Sequence, residues 1–199
     1  MAIKVQYNKT FLQYLQKQLK VRENALPTLQ AKEAALRLEV KKALEQVKEV
    51  RRRLEEKDRE LEKTYRLWPE FPEGLVSIKD IVLDIKKIAG VKTPIYKKAV
   101  YEVRPHSLFG NPAWIPEGVE LLKAAAGLRV ERMVAEKKVE ILEFARKKTT
   151  QKVNLYEKVQ IPEYNSAILS IKRFLEDQEN LAKSSQKILK TRLAASEAA

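Results

Sequence analysis

From Leu12 to Trp68, every alternate third and fourth residue falls on one line: Leu12, Leu15, Leu19, Arg22, Leu26, Leu29, Glu33, Leu36, Val40, Ala43, Val47, Val50, Leu54, Lys57, Leu61, Thr64 and Trp68. Thirteen of these seventeen positions are apolar, and the alternation never slips. A 3-4 repeat of this kind is the heptad seam that winds one helix around another. The residues between seam positions are mostly Lys, Arg, Glu and Gln, which favour helix and stay solvated. At about 1.5 Å per residue the helix would be roughly 85 Å long. The pattern therefore predicts a rod. Pro27 interrupts it, removing a backbone donor and crowding the preceding turn. Because Leu26 and Leu29 keep the seam in register across it, a kink is expected, not an end.

After Trp68 the heptads stop. Six of the eight prolines and four of the five glycines lie between residues 69 and 118. This marks a compact insert between an N-terminal long helix (1–68) and a C-terminal one (119–199), the three together forming one elongated domain. Residues 76–95 are rich in Val, Ile and Thr, which favour a pleated surface. Ile78, Ile81, Ile85 and Ile88 also fit a helical face with Ser77 as its cap. Past Gly90, Ala99, Tyr101 and Val103 alternate with charged residues and read as a strand. A hairpin turning at Ala89, Gly90 and Val91 is favoured over a short helix followed by a strand. Phe109 to Trp114 reads as a loop packed down by its aromatics.

The second helix carries a looser seam: Leu121, Ala125, Leu128, Ala135, Val139, Leu142, Val153, Tyr156, then Tyr164, Ile168, Ile171, Leu175, Ala182 and Leu189. Pro162 should bend it. Two long helices joined by a short insert fold back as an antiparallel pair. Folding about Trp68 and Val119 sets residue 68−k against 119+k. Pro27 then faces about residue 160, close to Pro162, which predicts one shared bend. Asn8 faces about residue 179, so the second helix should overhang its partner by about 16 residues, roughly 24 Å.

Charge adds a polarity to this picture. The formal net charge is +13, divided as +7 over residues 1–68, +1 over 69–118 and +5 over 119–199. Residues 1–20 hold four lysines and no carboxylate, and 180–199 hold four basic groups against Glu197. The fold-back would bring these segments to one end as a basic tip. Such a balance suits nucleic acid, an anionic membrane surface or an acidic protein. Aromatics make up 7% of the chain and do not interleave with the basic residues, so a stacking platform for nucleic acid is disfavoured. The apolar line is a narrow seam, better matched to a helix than to a bilayer surface.

Candidate chemistry is sparse. The single histidine, His106, stands beside Pro105; a lone histidine is far more often structural than catalytic. The carboxylates line charged helical faces, with no pair beside an apolar pocket to split their pKa values. There is no phosphate-binding glycine loop, no nucleophile elbow and no cysteine for zinc or disulfides. No catalytic, cofactor or metal site is expected. No apolar run reaches about 18 residues, so no membrane span is expected either.

The residues alone yield a mainly α fold: a long antiparallel two-helix coiled coil with a small hairpin-containing insert at its turn end. The seam is carried by Leu12, Leu15, Leu19, Leu26, Leu36, Val47, Leu54 and Leu61 against Ile168, Ile171 and Leu175, with the bend at Pro27 and Pro162. Spacer, scaffold and mechanical shaft all fit.

A resemblance narrows the choice. Lys152 to Pro162 (KVNLYEKVQIP) resembles a stretch of the D subunit of the V-type and archaeal-type rotary ATPases. Ala167 to Glu176 is similar to the helix that follows in that family, as are Asn8 to Lys20 and the Ile88 to Pro94 turn. The resemblance implies a non-catalytic central rotor shaft that couples ATP hydrolysis or synthesis to ion translocation. It implies a short β-hairpin in the insert. The implied partners are the catalytic and nucleotide-binding ring subunits, the small F subunit of the stalk and a funnel-shaped rotor-coupling subunit. The implied location is cytoplasmic, peripheral on a membrane as part of the ATPase. The rival is a non-rotary coiled-coil scaffold, with nucleic acid as a possible partner.

Overall fold

The structure, a computed structural model, describes residues 5–105 and 112–197, with side chains up to Leu193. His106 and Phe109 lie outside the described residues. The element order is α1 (Lys9–Lys63), a 3-10 turn (Tyr65–Glu70), β1 (Val76–Ile88), β2 (Val91–Val103), α2 (Ile115–Asn154), a π turn (Leu155–Gln160) and α3 (Ile161–Glu197). The fold is mainly helical, with long antiparallel helices and a two-stranded antiparallel hairpin between them. The chain divides into two compact units, residues 1–31 with 149–199 and residues 32–148.

Asn8 starts α1: its side-chain oxygen accepts from the Phe11 backbone N–H at 2.6 Å, filling one of the donors a helix leaves open. The helix ends at Lys63, earlier than the seam predicts, because Pro69 cannot continue it and Trp68 turns back. The Trp68 indole donates to the Leu61 carbonyl at 3.3 Å. All seventeen seam positions from Leu12 to Trp68 are buried or half-buried. Pro27 sits within an unbroken helix, on its exposed side. The second helical stretch begins at Ile115, four residues before the expected Val119, with Pro116 in its first turn, where a missing N–H costs nothing.

In the unit of residues 32–148, Trp68, Phe71 and Trp114 pack at tilted and edge-on angles, with ring centroids 5.3–5.9 Å apart. They close the turn end over Leu75, Ile115 and Val119. The hairpin is rooted there and lies back along the helices. Its tip, Ala89 and Val91, packs on Leu36, Val40, Ala43 and Leu142. The lengths agree: thirteen residues of strand reach about 43 Å, and Leu36 to Lys63 along α1 is about 40 Å.

The two-residue turn is Ala89-Gly90, both with positive φ, at 47° and 82°, as the tightest hairpins require. Val91 already pairs with Ile88, and Ser77 pairs with Glu102 within the sheet, so neither the third turn position nor the helical alternative is realised. Val76 of β1 and Val103 of β2 pack against Ile115 and Val119 of α2, and β2 adds polar contacts. The Tyr101 hydroxyl donates to the Lys123 carbonyl at 2.8 Å, and burial pushes its pKa up. Gly127 makes this approach possible, since a Cβ there would lie 2.9 Å from that hydroxyl. Lys97 is the extra residue of a bulge in β2. Its ammonium bonds Asp84 at 3.1 Å and, with the Ile85 backbone N–H, holds that carboxyl below its ordinary value of 3.8.

Candidate functional site

The expected fold-back register can be read from cross-pair contacts. Within residues 32–148, Asp58 should face residue 129, and Arg129 bonds it at 3.0 Å. Arg53 should face 134 and bonds Glu131 at 3.0 Å; Gln46 should face 141 and accepts from Lys138 at 3.0 Å. Within the other unit, Lys9 should face 178 and lies 3.8 Å from Glu179. These surface ion pairs stabilise little, about 0–1 kcal/mol each. The apolar seam supplies the adhesion: Leu15 with Ala167, Ile168 and Ile171 in one unit, and Leu36, Val40 and Ala43 with Leu142 in the other. Leu12, Leu19 and Leu175 pack around the first of these clusters. Leu54 is buried, while Leu26, Val47 and Leu61 are half-buried.

The seam of the second helix holds a feature that its loose appearance conceals. From Leu121 its 3-4 repeat runs without error through Ala125, Leu128, Ala135, Leu142, Thr149 and Tyr156 to Gln160. It then resumes at Tyr164, Ile168, Ile171 and Leu175, one residue late. The steps Tyr156 to Gln160 and Gln160 to Tyr164 are both four, where a heptad allows four and three. The π turn at Leu155–Gln160 absorbs the surplus residue. Its signature is the Ile161 backbone N–H, which bonds the Tyr156 carbonyl five residues back. Counting heptads through Tyr156 would have located it.

Arg22, a polar interruption in the first seam, fills this place. Its Nε donates to the Gln160 Oε1 at 2.7 Å. Its Nη1 donates to the Gln18 carbonyl at 2.9 Å and to the Gln18 Oε1 at 2.8 Å. The guanidinium lies 4.6 Å from the Tyr164 ring centre and 6.0 Å from that of Tyr156, within cation–π range. Pro27 lies five residues from Arg22 toward the turn end, and Pro162 two residues from Gln160 in the opposite sense. The two prolines are thus separated by about two helical turns along the pair.

The other distinctive region is the end of α3. From Glu176 to Leu193 every residue is exposed, including the expected seam residues Ala182 and Leu189. Leu181, Ile188, Leu189 and Leu193 are each more than half exposed, among Lys183, Lys187, Lys190 and Arg192, with no carboxylate from 180 to 193. Among the described residues no group of three or more His, Asp or Glu could hold a metal. No described helix is long and apolar enough to cross a membrane.

Comparison with known proteins places this architecture. The sequence model of the ATP synthase D-subunit family matches residues 11–191. The chain belongs to this family. The D subunit of the V-type ATP synthase of Borreliella burgdorferi is 33% identical over 193 residues, covering 96% of this chain and 95% of the relative. That of Chlamydia pneumoniae is 28% identical, covering 89% and 88%. That of Chlamydia muridarum is 31% identical over 159 residues, covering 77% and 78%. The stretch matched by the family model spans both arms, the hairpin, the π turn and most of the exposed end of α3.

Proposed function

We propose that this chain is the central shaft of a V-type rotary ATPase. It couples ATP hydrolysis or synthesis in the catalytic ring to ion translocation across the membrane, and catalyses nothing itself. The observation that carries the reading is the exposed end of α3. Leu181, Ile188 and Leu189 stand exposed among Lys183, Lys187, Lys190 and Arg192 on one helix, which makes a segment built to be surrounded. A sleeve formed by the catalytic and nucleotide-binding subunits, apolar with an acidic rim, is the complementary surface. The resemblance adds the small F subunit and a funnel-shaped subunit as partners toward the membrane, with the complex peripheral on its cytoplasmic side.

Shaft physics agrees with the seam. Torque needs lateral stiffness, which a two-stranded coiled coil supplies. The paired prolines would make the shaft push asymmetrically on successive ring sites.

Reconstitution with the catalytic ring tests the reading. A bead fixed to the hairpin should rotate during ATP hydrolysis, and assembly should weaken with salt as the cationic end is screened. Pro27→Ala with Pro162→Ala should lower the number of ions moved per ATP. Purification with nucleic acid in place of ring subunits, with steep salt dependence, would favour the scaffold reading.

A further inference from the structure

We infer that Arg22 is a register key: a positioning residue that locks α3 to α1 in one axial and rotational phase by occupying the slot the π turn opens. The geometry of the slot carries the inference. The surplus residue between Tyr156 and Tyr164 widens the second helix where the seam needs to be filled. Arg22 enters with its guanidinium over the Tyr164 and Tyr156 rings and its donors on Gln160 and Gln18.

A leucine-rich seam does not define its own register well, because a slip of seven residues again sets leucine against an aliphatic neighbour. One polar residue at a seam position breaks that degeneracy. A slip of one heptad would bring Arg22 opposite Val153 or Ala167 in place of Gln160. Neither side chain accepts a hydrogen bond, so the guanidinium would lose its cross-strand partner while half-buried. The slot itself is unique to one level, since α1 and α2 keep uninterrupted heptads elsewhere. Under load, a shaft whose strands slip loses the angle it is meant to deliver. This consequence rests on the shaft reading; the register assignment does not.

The chain has no native cysteine, so engineered pairs report register cleanly. Lys9→Cys with Glu179→Cys marks the observed register, since these side chains already meet at 3.8 Å. Lys9→Cys with Lys172→Cys, or with Gln186→Cys, marks a slip of one heptad either way. A short bismaleimide applied to the full chain should join the first pair and leave the others at background. Arg22→Leu fills the seam with an aliphatic group and should melt no lower than the parent. It should nevertheless raise the slipped crosslinks at least about fivefold. Arg22→Lys keeps the cation but not the planar fork, and should raise them by less. Crosslinks confined to the Lys9/Glu179 pair in both variants would overturn the register key. In the reconstituted complex Arg22→Leu should hydrolyse ATP while moving fewer ions per ATP. Unchanged coupling would overturn the role under load. A parent complex that hydrolyses without rotating would overturn the shaft reading and leave the crosslinking result intact.

Discussion

Pro27 and Pro162 lie on opposing strands of one seam, about two turns apart, and the backbone treats them differently. Around Pro27 the chain stays α-helical, and Leu26 and Leu29 remain half-buried. Before Pro162 the helix widens into a π turn. Both prolines are exposed, so burial does not separate them. The sequence phase does: α1 keeps strict heptads from Leu12 to Leu61, whereas the second helix carries one surplus residue between Tyr156 and Tyr164. Proline alone therefore does not widen a helix here. The surplus residue does, because without the π turn every seam residue from Tyr164 onward would be rotated by about 100° away from its partners.

Deleting one residue from each strand breaks the comparison most sharply. Removing exposed Asn24 from α1 would rotate Leu12, Leu15 and Leu19 off the seam. Leu15 is 1% exposed at the centre of that cluster, and the expected loss is about 4–8 kcal/mol. Removing Glu157 from the π turn would instead restore the heptad spacing from Tyr156 to Tyr164. It should cost less than about 2 kcal/mol, chiefly the Arg22 hydrogen bonds. Thermal melting with amide exchange along α3 measures both. Equal losses would mean that the π turn is not a phase correction.

The deletion pair also marks how far the chain can be read from its sequence. The first seam is legible because its period is unbroken over seventeen positions. Within residues 32–148 the register follows from simple fold-back because both helices are regular there, which is why Asp58 meets Arg129 as counted. The hairpin is half legible: Ile78, Ile81, Ile85 and Ile88 fit either period, and only cross-strand pairing with β2 settles the strand. Its lie along the helices is not legible, since it depends on contacts such as Tyr101 to the Lys123 carbonyl. Arg22 looks like an interruption in one helix. Its role needs Gln160, more than a hundred residues away in the chain, and a turn type that no single-residue propensity encodes.

Within α3 the buried and exposed stretches should differ by the next largest amount. Ile171 is fully buried against Leu15, so Ile171→Ala should cost about 2–5 kcal/mol. Leu189→Ala should change stability by less than about 0.5 kcal/mol, because Leu189 faces solvent. In the assembled complex the order should reverse for Leu189: its loss should weaken ring binding although the isolated chain melts normally. Denaturant titration of the chain and pull-down of ring subunits read the two effects separately.

The proline substitutions carry the finest test. Pro27→Ala restores a donor to an exposed, otherwise regular helix interior. It should stabilise by about 1–3 kcal/mol, reduced by the extra freedom the unfolded chain gains. Pro162→Ala acts directly after the π turn, whose wider backbone already departs from the ladder a proline ring crowds, and should gain less than about 1 kcal/mol. It should also leave the π turn in place, because the surplus residue remains. The decisive observable is the Ile161 amide. It should stay bonded to the Tyr156 carbonyl, as it is beside Pro162. A crystal structure of Pro162→Ala in which that amide moves to the Glu157 carbonyl would assign the π turn to the proline, and the contrast between the two strands would then rest on their local turns instead of on seam phase.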